Sequence, residues 1–269
     1  MSWRNPFRTL ALLTLILLAA CARMPAGVGI PAAEQEKAAA SFREWLAAQS
    51  ACPCCFDAAA TVTFKSWIQS GTLTGFAQAK EPAHLKLVAL NPFGQPEVML
   101  VTDGRDFQLV SVPESKVYEG SVRAKAFAKY APAGVRPEHA FFWLTGKMPP
   151  GEWRIVRAAR DEKAAGYWLD LVGQDPELRH RVLFSPHEGV IRRHLVLDDR
   201  ERPLVDVRYE EFAPALKSGS CKWPGRIIVE TRAHRGQLII SLSDWLTAPL
   251  ADKDFRLELP SGFERRHVE

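Results

Sequence analysis

The feature that most constrains this fold is a series of short segments in which apolar and polar residues alternate. The alternation begins near Thr61, pauses after Gly120 and resumes near Trp153. Such segments, separated by glycine, proline and Asp-Gly turns, are typical of antiparallel strands with one buried face. Asp103-Gly104 joins two of them with a strong hairpin signal. The sequence therefore predicts a mainly β (α+β) chain, with a single curved antiparallel sheet that forms an unclosed β-barrel.

Two parts of the sequence indicate helices instead. From Ala32 to Gln49 apolar side chains recur at helical spacing, which predicts an N-terminal helix. From Val122 to Leu144 two short segments punctuated by proline form the most aromatic region of the chain. A half-barrel has an apolar inner face that must be covered, because large exposed apolar patches are unfavourable. We therefore expect this aromatic region to form a short helical lid.

The N-terminus has the pattern of a secretion signal. Arg4 and Arg8 precede an apolar run from Ala11 to Leu18, which is too short to cross a membrane comfortably. The run ends in Leu18-Ala19-Ala20-Cys21, which resembles the bacterial lipobox. That resemblance implies cleavage before Cys21 and acylation of this residue. The alternative is an ordinary signal peptide with an incidental cysteine.

This processing divides the chain into a signal peptide (1–20), a tether (21–31) and a folded domain (32–269). Acyl chains on Cys21 would anchor the protein stably to a membrane. In enteric-type bacteria an aspartate after the lipidated cysteine retains lipoproteins in the inner membrane. The residue here is Ala22, which by analogy favours the outer membrane, facing the periplasm. The mature chain is close to neutral and has no basic tract, so nucleic acid is not an expected partner.

Four cysteines follow Cys21, and an oxidising compartment favours disulfides among them. They are Cys52, Cys54, Cys55 and Cys221, and sequence alone leaves three pairings open. A bond between the adjacent Cys54 and Cys55 would close a strained ring, so we expect one of these two to reach Cys221. A metal site is disfavoured because C-x-C-C lacks the usual paired spacing. A redox site at Cys52 and Cys55 is disfavoured because the motif follows a helix and precedes a strand.

Three motifs resemble the LolA/LolB superfamily of periplasmic lipoprotein carriers and receptors. Residues 87–120 resemble a segment of that superfamily in which a strand is followed by an N-P-x-G turn, a second strand, a D-G hairpin and a final P-x-x-x-x-Y-x-G motif. Residues 222–230 resemble a late strand, and residues 250–264 resemble the closing segment. The resemblance runs from about Phe42 to Phe263. The cysteine cluster and Cys221 are not typical of that superfamily.

The resemblance implies an unclosed barrel whose helical lid covers an apolar cavity for acyl chains. It implies no catalytic residue, cofactor or metal. The implied partners are the acyl chains of lipoproteins or other lipids, the membrane through lipidated Cys21, and a periplasmic carrier protein. The candidate cavity and lid residues are Leu85, Leu87, Phe127, Tyr130, Phe141, Phe142, Trp143 and Leu144.

One loop of the LolB-like receptors carries a projecting apolar residue that helps deliver lipoproteins to the membrane. The turn at residues 89–97 corresponds to that region, and Phe93 is the candidate for the projecting residue. The alternative is that Phe93 packs on the rim of the barrel.

Three functions remain under consideration. The first is a lipid-anchored protein that receives or sorts lipoproteins at the outer membrane. The second is a non-enzymatic envelope-assembly lipoprotein that uses the same scaffold for a peptide or glycolipid. The third is a thiol-redox lipoprotein that uses the cluster at Cys52. A Gly-x-Ser-x-Gly hydrolase elbow is absent from the sequence, and we interpret His180, His187 and His194 as surface or cross-strand histidines.

Overall fold

The computed structural model describes residues 27–65, 70–123, 139–163, 165–215, 219, 221–231, 236–257 and 261–269. Strands dominate these residues, and all of them join one curved, unclosed sheet. The strands are β1 (Gly27–Gly29), β2 (Cys55–Lys65), β3 (Ser70–Lys80), β4 (His84–Leu90), β5 (Pro96–Thr102), β6 (Asp106–Ser111), β7 (Lys116–Ser121), β8 (Arg154–Asp161), β9 (Tyr167–Val172), β10 (Arg179–Ser185), β11 (Val190–Leu197), β12 (Pro203–Pro214), β13 (Lys222–Thr231), β14 (Gly236–Leu246) and β15 (Glu264–Val268). The mainly β fold class predicted from the sequence is confirmed.

The order of strands shows how the two halves of the chain meet. It runs β1-β8-β9-β10-β11-β12-β13-β14-β2-β3-β4-β5-β6-β7-β15, so β14 and β2 pair in the middle and β1 and β15 form the edges. Every pairing is antiparallel except that of β15 with β7, which is parallel. The predicted single curved, largely antiparallel sheet is confirmed, and the parallel pairing of β15 is a feature that the sequence did not indicate.

The parallel strand arises because the chain after β14 crosses the outer face of the sheet before it reaches the edge. On the way it forms a short 3₁₀ helix, Asp252–Phe255. Lys80 pairs with Asp252 at 2.6 Å, and the Lys86 ammonium donates to the Asp254 carbonyl at 2.9 Å. The chain therefore enters β15 from the end of β7 that gives a parallel pairing, whereas a hairpin would give an antiparallel one.

Within the described ranges, two α-helices lie on the inner face of the sheet. Helix α1 (Ala32–Ala48) is followed by a 3₁₀ turn at Gln49–Ala51, close to the predicted end. Its Phe42 is fully buried, and the Trp45 indole donates to the Gly189 carbonyl at 2.8 Å. Helix α2 (Ala140–Thr145) packs against β13, β3 and β4, and it ends at Gly146 in the left-handed conformation. No described helix is long and apolar enough to span a membrane.

The two faces of the sheet differ in chemistry. The inner face carries the buried core, whose largest side chains include Phe56, Trp223 and Tyr209. The outer face carries cross-strand ion pairs such as Arg181 with Asp170. Partly exposed pairs of this kind stabilise a protein by about 0–1 kcal/mol. Apolar side chains are buried on the outer face as well, among them Val110 and Val117 and the cluster of Trp168, Leu183, Leu195 and Leu197.

Candidate functional site

An apolar strip on the inner face extends beyond the buried core. Antiparallel register places residues that face each other across two strands on the same side of the sheet. Leu87 opposes Leu100, which opposes Leu109, and Phe64 opposes Leu238. All of these side chains are half-buried. We call this strip the apolar trough; its residues are Val62, Phe64, Leu73, Leu87, Leu100, Leu109 and Leu238.

Among the residues that the structure describes, two α-helices pack on part of the inner face, and the trough lies beyond them. Helix α1 packs near β8, and α2 packs against β13, β3 and β4. Leu87 lies at the border, since it also packs against the buried core. Between β3 and β4, a Cβ at Gly75 would lie 1.8 Å from the Val88 carbonyl oxygen, so only glycine allows the strands to approach there. The trough is thus the continuation of the core face into a region of partial exposure.

The predicted lid residues contribute to the core next to this trough. Phe141, Phe142 and Leu144 are buried. The Phe141 ring lies 6.2 Å from Phe56 and 5.7 Å from Phe142, which fills the space between α2 and the sheet. Their neighbours Trp143, Leu85 and Leu87 are half-buried and pack against the same core. Phe127 and Tyr130 lie outside the described residues.

Two pockets among the described residues are small. One of about 110 Å³ lies between α2 and the starts of β8 and β10, and Trp143, Trp153 and His180 line it. The other, of about 30 Å³, lies beside Cys52 and Cys221. Ligand pockets usually measure about 300–1,000 Å³. Both pockets are therefore smaller than an ordinary ligand site.

The loop between β4 and β5 projects Phe93 into solvent. The Asn91 carboxamide oxygen accepts hydrogen bonds from the backbone N–H groups of Phe93 and Gln95, at 2.9 and 3.0 Å. Gly94 continues the turn with a φ of +78°, which favours glycine. These bonds hold the loop in one shape and leave Phe93 87 % exposed. Such exposure does not agree with packing on the rim.

The disulfide differs from the expected one. Cys52 bonds Cys221, with a Cα–Cα distance of 5.6 Å, so the expectation that Cys54 or Cys55 would reach Cys221 is wrong. Cys52 lies before β2 and faces the interior beside α1, where Cys221 is buried. Cys55 is already part of β2, and its sulfur lies 3.6 Å from the Ala248 carbonyl on the outer face. The disulfide also excludes Cys52 and Cys55 as a free C-x-x-C dithiol.

Cys54 and Cys55 are both free thiols. Their sulfur atoms lie 3.3 Å apart, with Cys54 exposed and Cys55 buried. Burial raises the pKa of the Cys55 thiol, and the hydrogen bond with Cys54 adds to that shift. At neutral pH the Cys55 thiol is therefore protonated.

A pair of histidines, His194 buried and His180 half-buried, lies beside the larger pocket. His180 Nδ1 and His194 Nε2 are 2.9 Å apart, and the Trp143 ring stacks on His194. The interpretation as cross-strand histidines is confirmed for these two, whereas His194 is buried and not a surface residue. His187 is exposed on a turn away from the pair. The described residues bring together no three metal-ligating side chains.

We expect the His194 burial to make stability depend on pH. Burial, followed by the neighbouring His180, holds the pKa of His194 well below 6.5. As pH falls below 6.5, His194 binds a proton in the unfolded chain but stays neutral in the folded chain. The free energy of unfolding therefore decreases. The free energy of unfolding should fall by about 1.4 kcal/mol per pH unit from this residue alone.

Urea unfolding at several values between pH 7 and 5 measures this dependence. His194→Gln should have a shallower slope than the parent protein, and His187→Gln should keep the parent slope. Equal slopes for all three proteins would contradict the assignment to His194. Carboxylates that also titrate in acid are present in every variant, so they cancel in the comparison.

This chain resembles known proteins in its fold and not in its sequence. No protein family and no curated protein matches the sequence. Solved structures do match the fold. A DUF1329 family protein from Desulfovibrio piger superposes with a TM-score of 0.59 at 12% identity, over 81% of this chain and 97% of that chain. A LolA superfamily protein from Nitrosomonas europaea gives 0.55 at 15% identity, over 80% and 97%.

This chain has the LolA fold. A third structure supports the same conclusion, a domain from Vibrio parahaemolyticus described as an outer membrane lipoprotein-sorting protein. It superposes with a TM-score of 0.57 at 12% identity, and the match covers 82% of this chain and 96% of that one. The resemblance seen in the sequence motifs is thus confirmed as a likeness of fold, which leaves cargo and partners open.

Proposed function

We propose that this protein is a non-catalytic, lipid-anchored protein of the bacterial cell envelope that binds acyl chains in the apolar trough. Its task is to receive or sort lipoproteins at the outer membrane, on the periplasmic side. The observation that carries this proposal is the row of half-buried apolar side chains beyond the core, among them Leu100, Leu109 and Phe64.

The trough has the chemistry that a hydrocarbon chain requires. Burying apolar area contributes roughly 25 cal/mol per Å², and no acid, base or metal is needed to hold a lipid tail. An open trough beside a rigid core also allows release, because one side of the tail stays near solvent. The Vibrio parahaemolyticus domain is described as lipoprotein-sorting, and the shared fold is consistent with a related task here.

The anchor belongs to the same proposal. Cys21 and the signal peptide lie outside the described residues, and their pattern resembles a lipobox. Acyl chains at Cys21 would hold the protein at the membrane surface, a short tether away from β1. A membrane-bound receptor of this kind would take its cargo from a periplasmic carrier protein.

Lipid analysis of the purified protein tests the proposal. The chain from residue 22 onward, exported to the periplasm without its anchor, would be examined by native mass spectrometry and lipid extraction. We expect a co-purified phospholipid or acylated peptide, or uptake of a fluorescent fatty acid by the delipidated protein. An empty protein that takes up no fatty acid would overturn acyl binding.

We further propose that Phe93 contacts the lipid surface during delivery. The ring is 87 % exposed at the tip of a hydrogen-bonded loop. Because burying a phenylalanine contributes about 1.5–3 kcal/mol, Phe93→Ser should weaken binding of the anchor-free protein to vesicles about tenfold or more. Flotation with phosphatidylethanolamine and phosphatidylglycerol vesicles measures the loss.

Phe76→Ser is the control for the Phe93 variant, since Phe76 is also exposed but lies on the outer face of β3. Equal binding by the parent and both variants would contradict this role.

A second candidate function has one observation in its favour. The two pockets of about 110 and 30 Å³ are too small for a lipid. A well-filled interior is what we expect of an envelope-assembly lipoprotein that binds a peptide or glycolipid partner on its surface. In the lipid analysis this function predicts an empty protein that nevertheless retains a partner protein after cross-linking in cells.

A further inference from the structure

We propose that Cys54 and Cys55 form a redox-active dithiol that exchanges with disulfides of other proteins. This activity is separate from lipid binding and does not depend on it. It also differs from a C-x-x-C site, because Cys52 is held in the bond to Cys221. The geometry that supports it is a pair of free sulfur atoms 3.3 Å apart.

The two thiols differ in access, as the two steps of exchange require. Cys54 is exposed and can meet the disulfide of a partner protein. Cys55 is only 2 % exposed and lies directly behind it, where a partner cannot reach but the Cys54 sulfur can. This arrangement assigns attack on the partner to Cys54 and resolution to Cys55.

The surroundings hold the pair in place and supply positive charge. The Cys54 carbonyl accepts a hydrogen bond from the Glu81 N–H at 2.8 Å, and Cys55 pairs with Lys80 across β2 and β3. Lys80 and the buried Lys147 are both close enough to interact electrostatically with Cys54.

The exchange balances without a cofactor. The Cys54 thiolate attacks one sulfur of the partner disulfide, that S–S bond breaks, and the other partner sulfur leaves as a thiolate. Cys55 then gives its proton to solvent and attacks the Cys54 sulfur, which releases the second partner thiolate. The pair loses two electrons and becomes a disulfide, while the partner disulfide gains them and becomes a dithiol.

The strain of a ring between adjacent cysteines is compatible with this role. Closing the bond must shorten the sulfur–sulfur separation from 3.3 Å to about 2.05 Å. Strained and exposed disulfides are the labile ones that take part in exchange, whereas relaxed and buried ones are structural. The bond of Cys52 to the buried Cys221 is then the permanent staple, and Cys54 with Cys55 is the exchangeable pair.

Oxidised glutathione serves as the probe disulfide, used on the full chain purified from membranes in detergent. Trypsin without reductant should release residues 44–65, which contain Cys52, Cys54 and Cys55, linked to residues 218–222, which contain Cys221. We expect the parent protein to lose the mass of two hydrogens from this linked pair without a lasting glutathione adduct. In Cys55→Ala the adduct should persist about tenfold longer or more, because resolution is lost. Cys54→Ala should show neither change.

Two results would overturn the proposal. One is a parent protein that accumulates the adduct as Cys55→Ala does, and the other is loss of two hydrogens that continues in Cys54→Ala. Circular dichroism confirms that each variant is folded. If Cys55→Ala does not fold, rapid alkylation of the parent decides: Cys54 should be labelled first, and oxidation beforehand should protect both thiols together. Protection of Cys54 alone would count against a paired dithiol.

Discussion

Replacing Leu100 and Leu109 together with asparagine should reduce the affinity for a fluorescent fatty acid about a hundredfold. The two side chains oppose each other on β5 and β6 and are half-buried in the trough. Each leucine that contacts an acyl chain contributes roughly 1.5 kcal/mol by burial, which corresponds to about tenfold in affinity. Because neither side chain belongs to the fully buried core, the fold should tolerate both changes. Fluorescence titration and thermal unfolding measure the two effects separately.

Leu246→Asn is the matched control for the trough variant. It makes the same chemical change at a residue that is 64 % exposed and pairs with Asp57 on the outer face. It should leave fatty-acid binding unchanged. If the control loses as much affinity as the trough variant, or if the trough variant binds normally, the trough is not the acyl site.

Removing the Cys52–Cys221 disulfide should lower the free energy of unfolding by about 4 kcal/mol. The bond joins residues 169 positions apart, and cross-links that close long loops restrict the unfolded chain most. It also fastens the end of the α1 region to the start of β13. The double variant Cys52→Ala, Cys221→Ala removes the bond without leaving a thiol that could pair with Cys54 or Cys55. Urea unfolding, compared with the parent under non-reducing conditions, measures the loss.

Cys54→Ala provides the comparison for that experiment. Cys54 is exposed and outside the disulfide, so its replacement should change the free energy of unfolding by no more than about 0.5 kcal/mol. A double variant as stable as Cys54→Ala would show that the bond does not stabilise the fold. Loss of stability in both variants would point to a structural role of the cysteine loop as a whole.

Alternation of apolar and polar residues carried most of the information on the fold. It predicted strands on both sides of the α2 region, and the Asp103-Gly104 turn does join β5 to β6. The parallel placement of β15 was not predictable, because no local pattern shows that residues 248–255 lie against the outer face before β15 pairs with β7. The contact of Lys80 with Asp252 that guides this crossing spans 172 residues.

The candidate site was predictable only in part, because it also depends on contacts between residues that are distant in the sequence. Alternation places Leu85 and Leu87 on one face, yet it does not say where the helices stop covering that face. Leu100, Leu109 and Leu238 therefore became apparent only from register. The choice of Cys52 over Cys54 as the partner of Cys221 depends on which side chain faces α1. The sequence does not reveal that His194 is buried beside His180, because it shows the two residues as isolated polar positions.

The terminal strands have a consequence for how copies of this protein meet at high concentration. A sheet that does not close has two rows of unpaired backbone groups, and such rows invite pairing between molecules. Here β1 is three residues long, which leaves little backbone for a second molecule to extend. At the other edge β15 carries the exposed charged residues Glu264, Arg265 and Arg266, which lose hydration if a second strand adds there. The short β1 and the charged β15 thereby disfavour edge-to-edge pairing, so the sheet can stay open beside its half-buried apolar trough while the molecules stay apart.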